Sequence, residues 1–156
     1  MARKELMAAV ATVPETVKDE QVVVFRLEAE RYGIDIFRVN EIIRIREITP
    51  IPHTEPHIRG LVNLRGKTIP VVDLRVRFGI PTVETTEKAR IIVVEMESGQ
   101  IGLVVDEVCE VGTLEAGGVE PPPSLVGGPG SDFVRGVARR DGRLIALLDL
   151  DRTLER

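Results

Sequence analysis

The chain of 156 residues has one cysteine, no tryptophan and few other aromatics, one Tyr and four Phe. A single thiol, Cys109, excludes an internal disulfide and any Cys-x-x-Cys metal or redox motif. So few rings leave little on which nucleobases could stack. The 21 Lys and Arg are outnumbered by 25 Asp and Glu, a net charge of -4, whereas nucleic-acid binders carry a basic surplus. Nucleic acid is therefore not an expected partner. No apolar run approaches the roughly 18 residues of a membrane helix, so direct membrane insertion is not expected. The opening "MARKELMAAVATVPET" has a short apolar run from Leu6 to Val13, and Glu5 interrupts its basic start, which is too little for a secretory signal. Residues 1–19 read as a flexible tail of a cytoplasmic protein.

Against these absences, 43% of the residues are hydrophobic and 29% charged, the balance of a globular chain that buries a sizeable core. Catalytic signatures are lacking: there is no Gly-x-Ser-x-Gly, no phosphate-binding loop and no dinucleotide fingerprint, so the chain does not read as an enzyme and implies no cofactor. His53 and His57 stand four apart in "PHTEPH", but Pro52 and Pro56 forbid the helix from which such a pair grips a metal. An exposed loop is the expectation there, with no metal. Cys109 interrupts an apolar pattern and reads as a small core residue.

What the chain does have is a sentence written twice. Residues 58–74 and 134–150 align at an offset of 76 with six identities in 17 positions: Arg59/Arg135, Gly60/Gly136, Gly66/Gly142, Ile69/Ile145, Asp73/Asp149 and Leu74/Leu150. About one would be expected from ordinary composition. Upstream, at an offset of 69, "YGIDIFRVNEI" (32–42) meets "IGLVVDEVCEV" (101–111), and "VVVFRLE" (22–28) meets "IIVVEME" (91–97). The offsets differ because the connector in the second half, 112–133, is longer and rich in Gly and Pro, which suits an irregular loop.

The repeated blocks are short and rich in Val and Ile, the signature of strands, about five per half. "RGKT" and "RDGR" sit between apolar runs as hairpin turns. An all-β chain of two five-stranded β-barrels related by internal duplication is expected, since curling closes a small sheet and removes its edges. The halves span about 20–80 and 89–150, joined by the polar crossover 81–89 and packed through an apolar seam. Helix is expected only as turns near "FRVNEI" (37–42) and "LRVRFG" (74–79) and a short C-terminal helix within 148–156. Asp73 and Asp149, repeated at strand ends, read as strand terminators or turn caps rather than as a catalytic pair.

Function is better sought where the halves differ. Arg65 aligns with Asp141, while Glu41 aligns with Glu110. The first half therefore offers an opposite-charge pair, Glu41 with Arg65, where its copy is expected to have none. The plainer reading of Arg65 is a solvated hairpin residue.

"YGIDIFRVNEI", "ITPIP", "IRGLVNLRG" and "IPVVDLRVRFG", in that order, resemble the bacterial chemotaxis coupling proteins of the CheW family, over about Gln21 to Leu154. The resemblance implies that the barrels are SH3-like. It also implies a non-enzymatic adaptor coupling the cytoplasmic tip of methyl-accepting chemoreceptors to the regulatory domain of the histidine kinase CheA, within membrane-bound receptor arrays. A scaffold in another two-component pathway, serving motility or development, is the alternative. The family's coupling ion pair falls on Glu41 and Arg65, and its receptor-binding positions on Val39, Gly60 and Ile91. An apolar groove between barrels would add Ile36, Val104 and Val108, for which strand alternation allows a core role equally.

Overall fold

A computed structural model describes residues 19–115, 117–122 and 131–154. The expected tail, apart from Asp19, lies outside the described residues, as do residues 123–130 of the long connector. Ten strands run in order: β1 (Glu20–Leu27), β2 (Glu30–Asp35), β3 (Val39–Arg44), β4 (Ile58–Leu64), β5 (Lys67–Asp73), β6 (Arg90–Met96), β7 (Gly99–Val105), β8 (Glu107–Leu114), β9 (Val134–Arg140) and β10 (Arg143–Leu148). Helix is confined to two 3-10 turns, Ile36–Arg38 and Ser131–Phe133, and to α1 (Leu74–Arg77) and α2 (Leu150–Leu154). Three of the four fall on or beside the expected turns; Ser131–Phe133 lies at the end of the connector, where only irregular loop is expected.

The strands form two five-stranded sheets, ordered β8-β1-β2-β10-β9 and β3-β6-β7-β5-β4. Neither sheet is one sequence half. Each half gives its first two strands to one sheet and its last three to the other, so the halves are reciprocally exchanged. The exchange is symmetric to the residue: Leu147 pairs with Gly33 as Val71 pairs with Gly102, and Val24 with Glu110 as Val93 with Glu41. The expectation that one half makes one barrel is thereby corrected; a repeat in sequence fixes equivalent positions, not which copies pair.

Even the irregularities are duplicated. The β3–β6 ladder skips Asn40 and the β1–β8 ladder skips Cys109, its copy. The β4–β5 ladder skips Arg59 and the β9–β10 ladder skips Arg135. Such bulges increase local twist, which curls a small sheet. The half-buried Cys109 thus stands at a bulge beside the core rather than within it, and burial pushes its thiol pKa up. The two repeated hairpins, β4–β5 and β9–β10, place two successive residues at positive φ, Arg65-Gly66 and Asp141-Gly142, in a turn that follows strand twist.

The strands alternate between two cores. Val22 and Val24 of β1 face a cluster with Ile145 and Leu147, while Val23, Phe25 and Leu27 face the seam. In β6, Ile91 and Val93 pack with Val62, Leu64 and Ile69, while Ile92 and Val94 face the same seam. Period-two alternation with both faces apolar explains why "VVVF" and "IIVV" read as unbroken hydrophobic runs. The seam cluster draws on both sheets, so the two SH3-like units share one core.

Neither sheet closes through strand pairing: β3 and β4 are free edges of one, β8 and β9 of the other. Connecting loops add single bridges, Thr49 to Leu61 on β4 and Glu120 to Val137 on β9. They explain the repeated Arg-Gly. A Cβ on Gly60, whose φ is 147°, would lie 2.1 Å from the Thr49 carbonyl oxygen, and one on Gly136 would lie 3.0 Å from that of Glu120.

Candidate functional site

Two features bear on binding: the open edges of the sheets and the two turns that carry the chain between them. At the edge of the β6 sheet, Glu41 on β3 faces Arg65 in the β4–β5 turn. Arg65 donates to both carboxylate oxygens, Nη1 to Oε2 at 3.2 Å and Nη2 to Oε1. The pair spans the opening that backbone bonds leave unclosed. Glu41 is 12% exposed and Arg65 70%, so the pair presents a guanidinium to solvent over a largely covered carboxylate. The copy is not bare, contrary to expectation. Glu110 on β8 accepts at 2.7 Å from Nε of Arg140 on β9, and Arg140 also donates to the Thr113 carbonyl. Arg140 aligns with Leu64, one position from the Asp141 that matches Arg65. The second seam is therefore closed by a shifted pair.

The crossings between sheets are the 3-10 turn Ile36–Arg38, leading from β2 to β3, and Asp106, between β7 and β8. Asp106 is the centre of a partly buried charge network. Arg75 at the start of α1 grips both its oxygens, at 2.9 and 2.5 Å, and the Glu28 N–H donates to it at 2.8 Å. Arg26 on β1 lies 3.8 Å from Asp106 and donates to Glu107 at 3.1 Å. Burial alone would raise the Asp106 pKa. The Arg75 hydrogen bonds, the Glu28 N–H and the charges of Arg75 and Arg26 outweigh it and hold the pKa below the usual carboxylate value.

In the other crossing Phe37 takes the place of Asp106. Asp35 caps the turn, accepting from the Phe37 N–H at 2.9 Å, and Ile36 and Val39 on either side are fully buried. Phe37 itself is 49% exposed. Phe25, Tyr32, Phe78 and Phe133 pack ring against ring in a chain, stacked at both ends and tilted between Tyr32 and Phe78, leaving Phe37 as the ring outside it. Its neighbours in sequence make polar contacts: Arg38 donates to Asp151 at 3.1 Å and to the Glu95 carbonyl at 3.0 Å, and Asn40 donates to Glu95 at 2.6 Å.

Among the residues expected to meet a receptor, Ile36, Val39 and Ile91 are fully buried, Val104 is 6% exposed, and Gly60 is buried beneath the Thr49 loop. They are buried positions: strand alternation turns Val39, Ile91 and Val104 inward, the 3-10 turn buries Ile36, and the Thr49 loop covers Gly60. Val108 is half-buried against the seam core. Glu41 and Arg65 do come together. Sequence reasoning missed Phe37, Arg75, Asp106 and Arg140; the offset alignment carried a signal for all four, setting Phe37 against Asp106, Leu64 against Arg140 and Arg75 against Asp151.

The remaining candidates are structural. Asp73 accepts from the Arg75 N–H at 3.0 Å and Asp149 from the Arg152 N–H at 3.1 Å, so both cap the helical turns that follow. His57 is not plainly exposed: it lies 3.2 Å from Glu55 and is largely covered. Burial, then the charge of Arg77, lower its pKa despite Glu55. Among the described residues no cluster of His, Cys, Asp and Glu could hold a metal, and no helix is long and apolar enough to cross a membrane.

Comparison with known proteins gives a consistent result. The model of the CheW-like domain matches residues 21–156. A chemotaxis protein CheW of Klebsiella aerogenes is 36% identical over 152 residues, covering 95% of this chain and 91% of that protein. One from Treponema pallidum is 32% identical over 144 residues, covering 88% and 85%. The crystal structure of the scaffolding protein TtCheW from Thermoanaerobacter tengcongensis superposes with a TM-score of 0.81 at 42% identity, covering 88% of this chain and 93% of that one.

Proposed function

The chain belongs to the CheW-like domain family, and from that premise we propose that it is a non-enzymatic adaptor of chemotaxis, joining the cytoplasmic tip of methyl-accepting chemoreceptors to the regulatory domain of a CheA-type kinase. The observation that carries the reading is the family match along nearly the whole chain, together with likeness to a structure described as a scaffolding protein. A coupler of this kind must bind two partners and respond to a shift between them, which needs differential affinity for receptor states or an imposed geometry. Two units locked by a shared core suit the second requirement, since a push on one sheet is transmitted to the other.

The receptor-facing surface proposed is the Ile36–Arg38 turn and the adjoining seam pair. Phe37 supplies an accessible aromatic anchor, followed in sequence by the polar Arg38 and Asn40, and exposed aromatics with polar neighbours suit an interface core. Ile36 and Val39 then act from beneath, fixing the turn that presents Phe37, and Glu41 with Arg65 keeps the neighbouring edge in register. Gly60, Ile91 and Val104 contribute by holding the scaffold, and Val108 borders the opposite crossing. Calorimetric titration of the chain with the regulatory domain of a CheA-type kinase, and separately with a receptor's cytoplasmic tip, tests the function. Saturable binding to both is expected; binding to neither would overturn it.

A further inference from the structure

A cleft of about 130 Å³ has Arg59 and Asp73 among its lining residues, together with residues 83–86 of the crossover. Arg26 and Arg75 border it too, but their guanidinium groups are engaged by Asp106, Glu107 and the carbonyls of Glu28 and Pro81. Arg59 is different. The acid it faces is Asp73, whose Oδ2 is 3.6 Å away, beyond hydrogen-bond reach, and whose Oδ1 accepts from the Arg75 N–H. Among the described residues the Arg59 guanidinium therefore finds no hydrogen-bond acceptor for its N–H donors, although its side chain is only 40% exposed.

The duplication shows what such an arginine takes. The copy of Arg59 is Arg135, which donates to the carboxylate of Glu20 at the start of β1. At the offset of 69, the residue that stands for Glu20 ahead of β6 is Ala89, and Ala89 lines the cleft. The carboxylate that the chain supplies to one arginine is thus missing beside the other. We propose that the cleft takes an external carboxylate on a short aliphatic stem, about the size of a glutamate side chain, paired with Arg59. Thr85 and Thr86 offer hydroxyls to the head group, and Thr86, which accepts from the Lys88 N–H at 3.2 Å, keeps its own O–H to donate. Val83 and Ala89 offer apolar surface to the stem. The volume is well under the roughly 300 Å³ at which pockets for drug-sized molecules begin, so the ligand is small. Glu84, also lining the cleft, is the rival that the chain itself offers.

The test is nuclear magnetic resonance titration of the isotope-labelled full chain at fixed ionic strength with glutarate, with neutral glutaramide and with the blocked residue N-acetyl-glutamate N-methylamide. The Arg59 Nε–H and the Thr85 and Thr86 amides report. The expected result is a shift that saturates in the millimolar range with glutarate, is absent with glutaramide, and is lost in Arg59→Gln, which removes no side-chain hydrogen bond from the described fold. Ala89→Glu should abolish it as well, by giving this cleft the carboxylate that its copy has. A response to the blocked residue too would assign the place to an acidic side chain of a partner protein; a response to glutarate alone would assign it to a free diacid. No saturable shift in the parent chain, a shift that survives Arg59→Gln, or one that appears only in Glu84→Gln because Glu84 already fills the place, would each overturn the proposal. No kinase or receptor enters the titration, so its result stands apart from the adaptor reading.

Discussion

The two crossings between the sheets occupy equivalent positions and do opposite work. At one, Asp106 is gripped by Arg75, Arg26 and the Glu28 N–H, and the charges face inward on the joint. At the other, Phe37 points outward, and the copy of Arg75 is Asp151, which is 73% exposed. Duplication kept the flanking ladders, down to the skipped residues, and let the crossings themselves part, a 3-10 turn at Ile36–Arg38 and the single residue Asp106. Positions that match across the repeat hold the fold, while those that diverged took separate work, an inward charge network around Asp106 at one crossing and an exposed ring, Phe37, at the other.

The largest expected effect comes from attacking what the copies share. Gly60→Ala drives a Cβ into the Thr49 carbonyl at positive φ and should cost about 3 kcal/mol. Gly136→Ala, at ordinary φ and with its Cβ 2.9 Å from Val119 Cγ1 and 3.0 Å from the Glu120 carbonyl oxygen, should cost less, about 1 kcal/mol. Urea denaturation of the two would show whether the equivalence is one of position only; equal costs would count against the clash argument.

Next is the gripped crossing. Arg75→Ala leaves the mostly buried Asp106 short of its main donors and should cost about 2 kcal/mol, whereas Asp151→Ala should stay within about 0.5 kcal/mol. The Asp106 pKa is lowered in the fold, so its contribution is present above the ordinary carboxylate pKa and is lost as pH falls through the lowered value. Acid titration of stability should show a shallower loss in Arg75→Ala than in the parent chain.

The seam pairs sharpen the contrast. Arg140→Glu sets two acids together across a half-covered edge and should cost about 1 kcal/mol. Arg65→Glu acts at a side chain 70% exposed, where the new carboxylate can turn to solvent away from Glu41, so the melting temperature should fall less than in Arg140→Glu while kinase or receptor affinity falls. A collapse of its melting temperature would make the pair structural. The smallest effect expected is at His57, whose pKa is lowered in the fold. Its neutral form is favoured there, so stability should decline as pH drops below about 6.5, and His57→Gln should flatten that decline.

Much of this architecture was legible. The strand blocks, both hairpin turns and the short helices followed from Val and Ile runs and from Arg-Gly and Asp-Gly dipeptides, because those signals are local. The exchange of strands between halves was not, since an alignment of copies is the same whether a strand pairs within its own half or with the other. Closure of the barrels was over-read for a related reason: apolar alternation shows that a strand is buried, not whether its edge finds a partner. The Glu41–Arg65 pair was found because charge reversal between copies is visible, but Arg140 escaped because its contact is displaced by one residue. The inward turn of Ile36, Val39, Ile91 and Val104 depends on register, which a family resemblance does not supply.

The difference between the crossings rests most directly on Phe37. Titrating a receptor's cytoplasmic tip into Phe37→Ala and into the parent chain should show affinity about tenfold weaker in the variant, with an unchanged melting temperature. Equal affinity in the two would contradict the assignment of this crossing to partner binding.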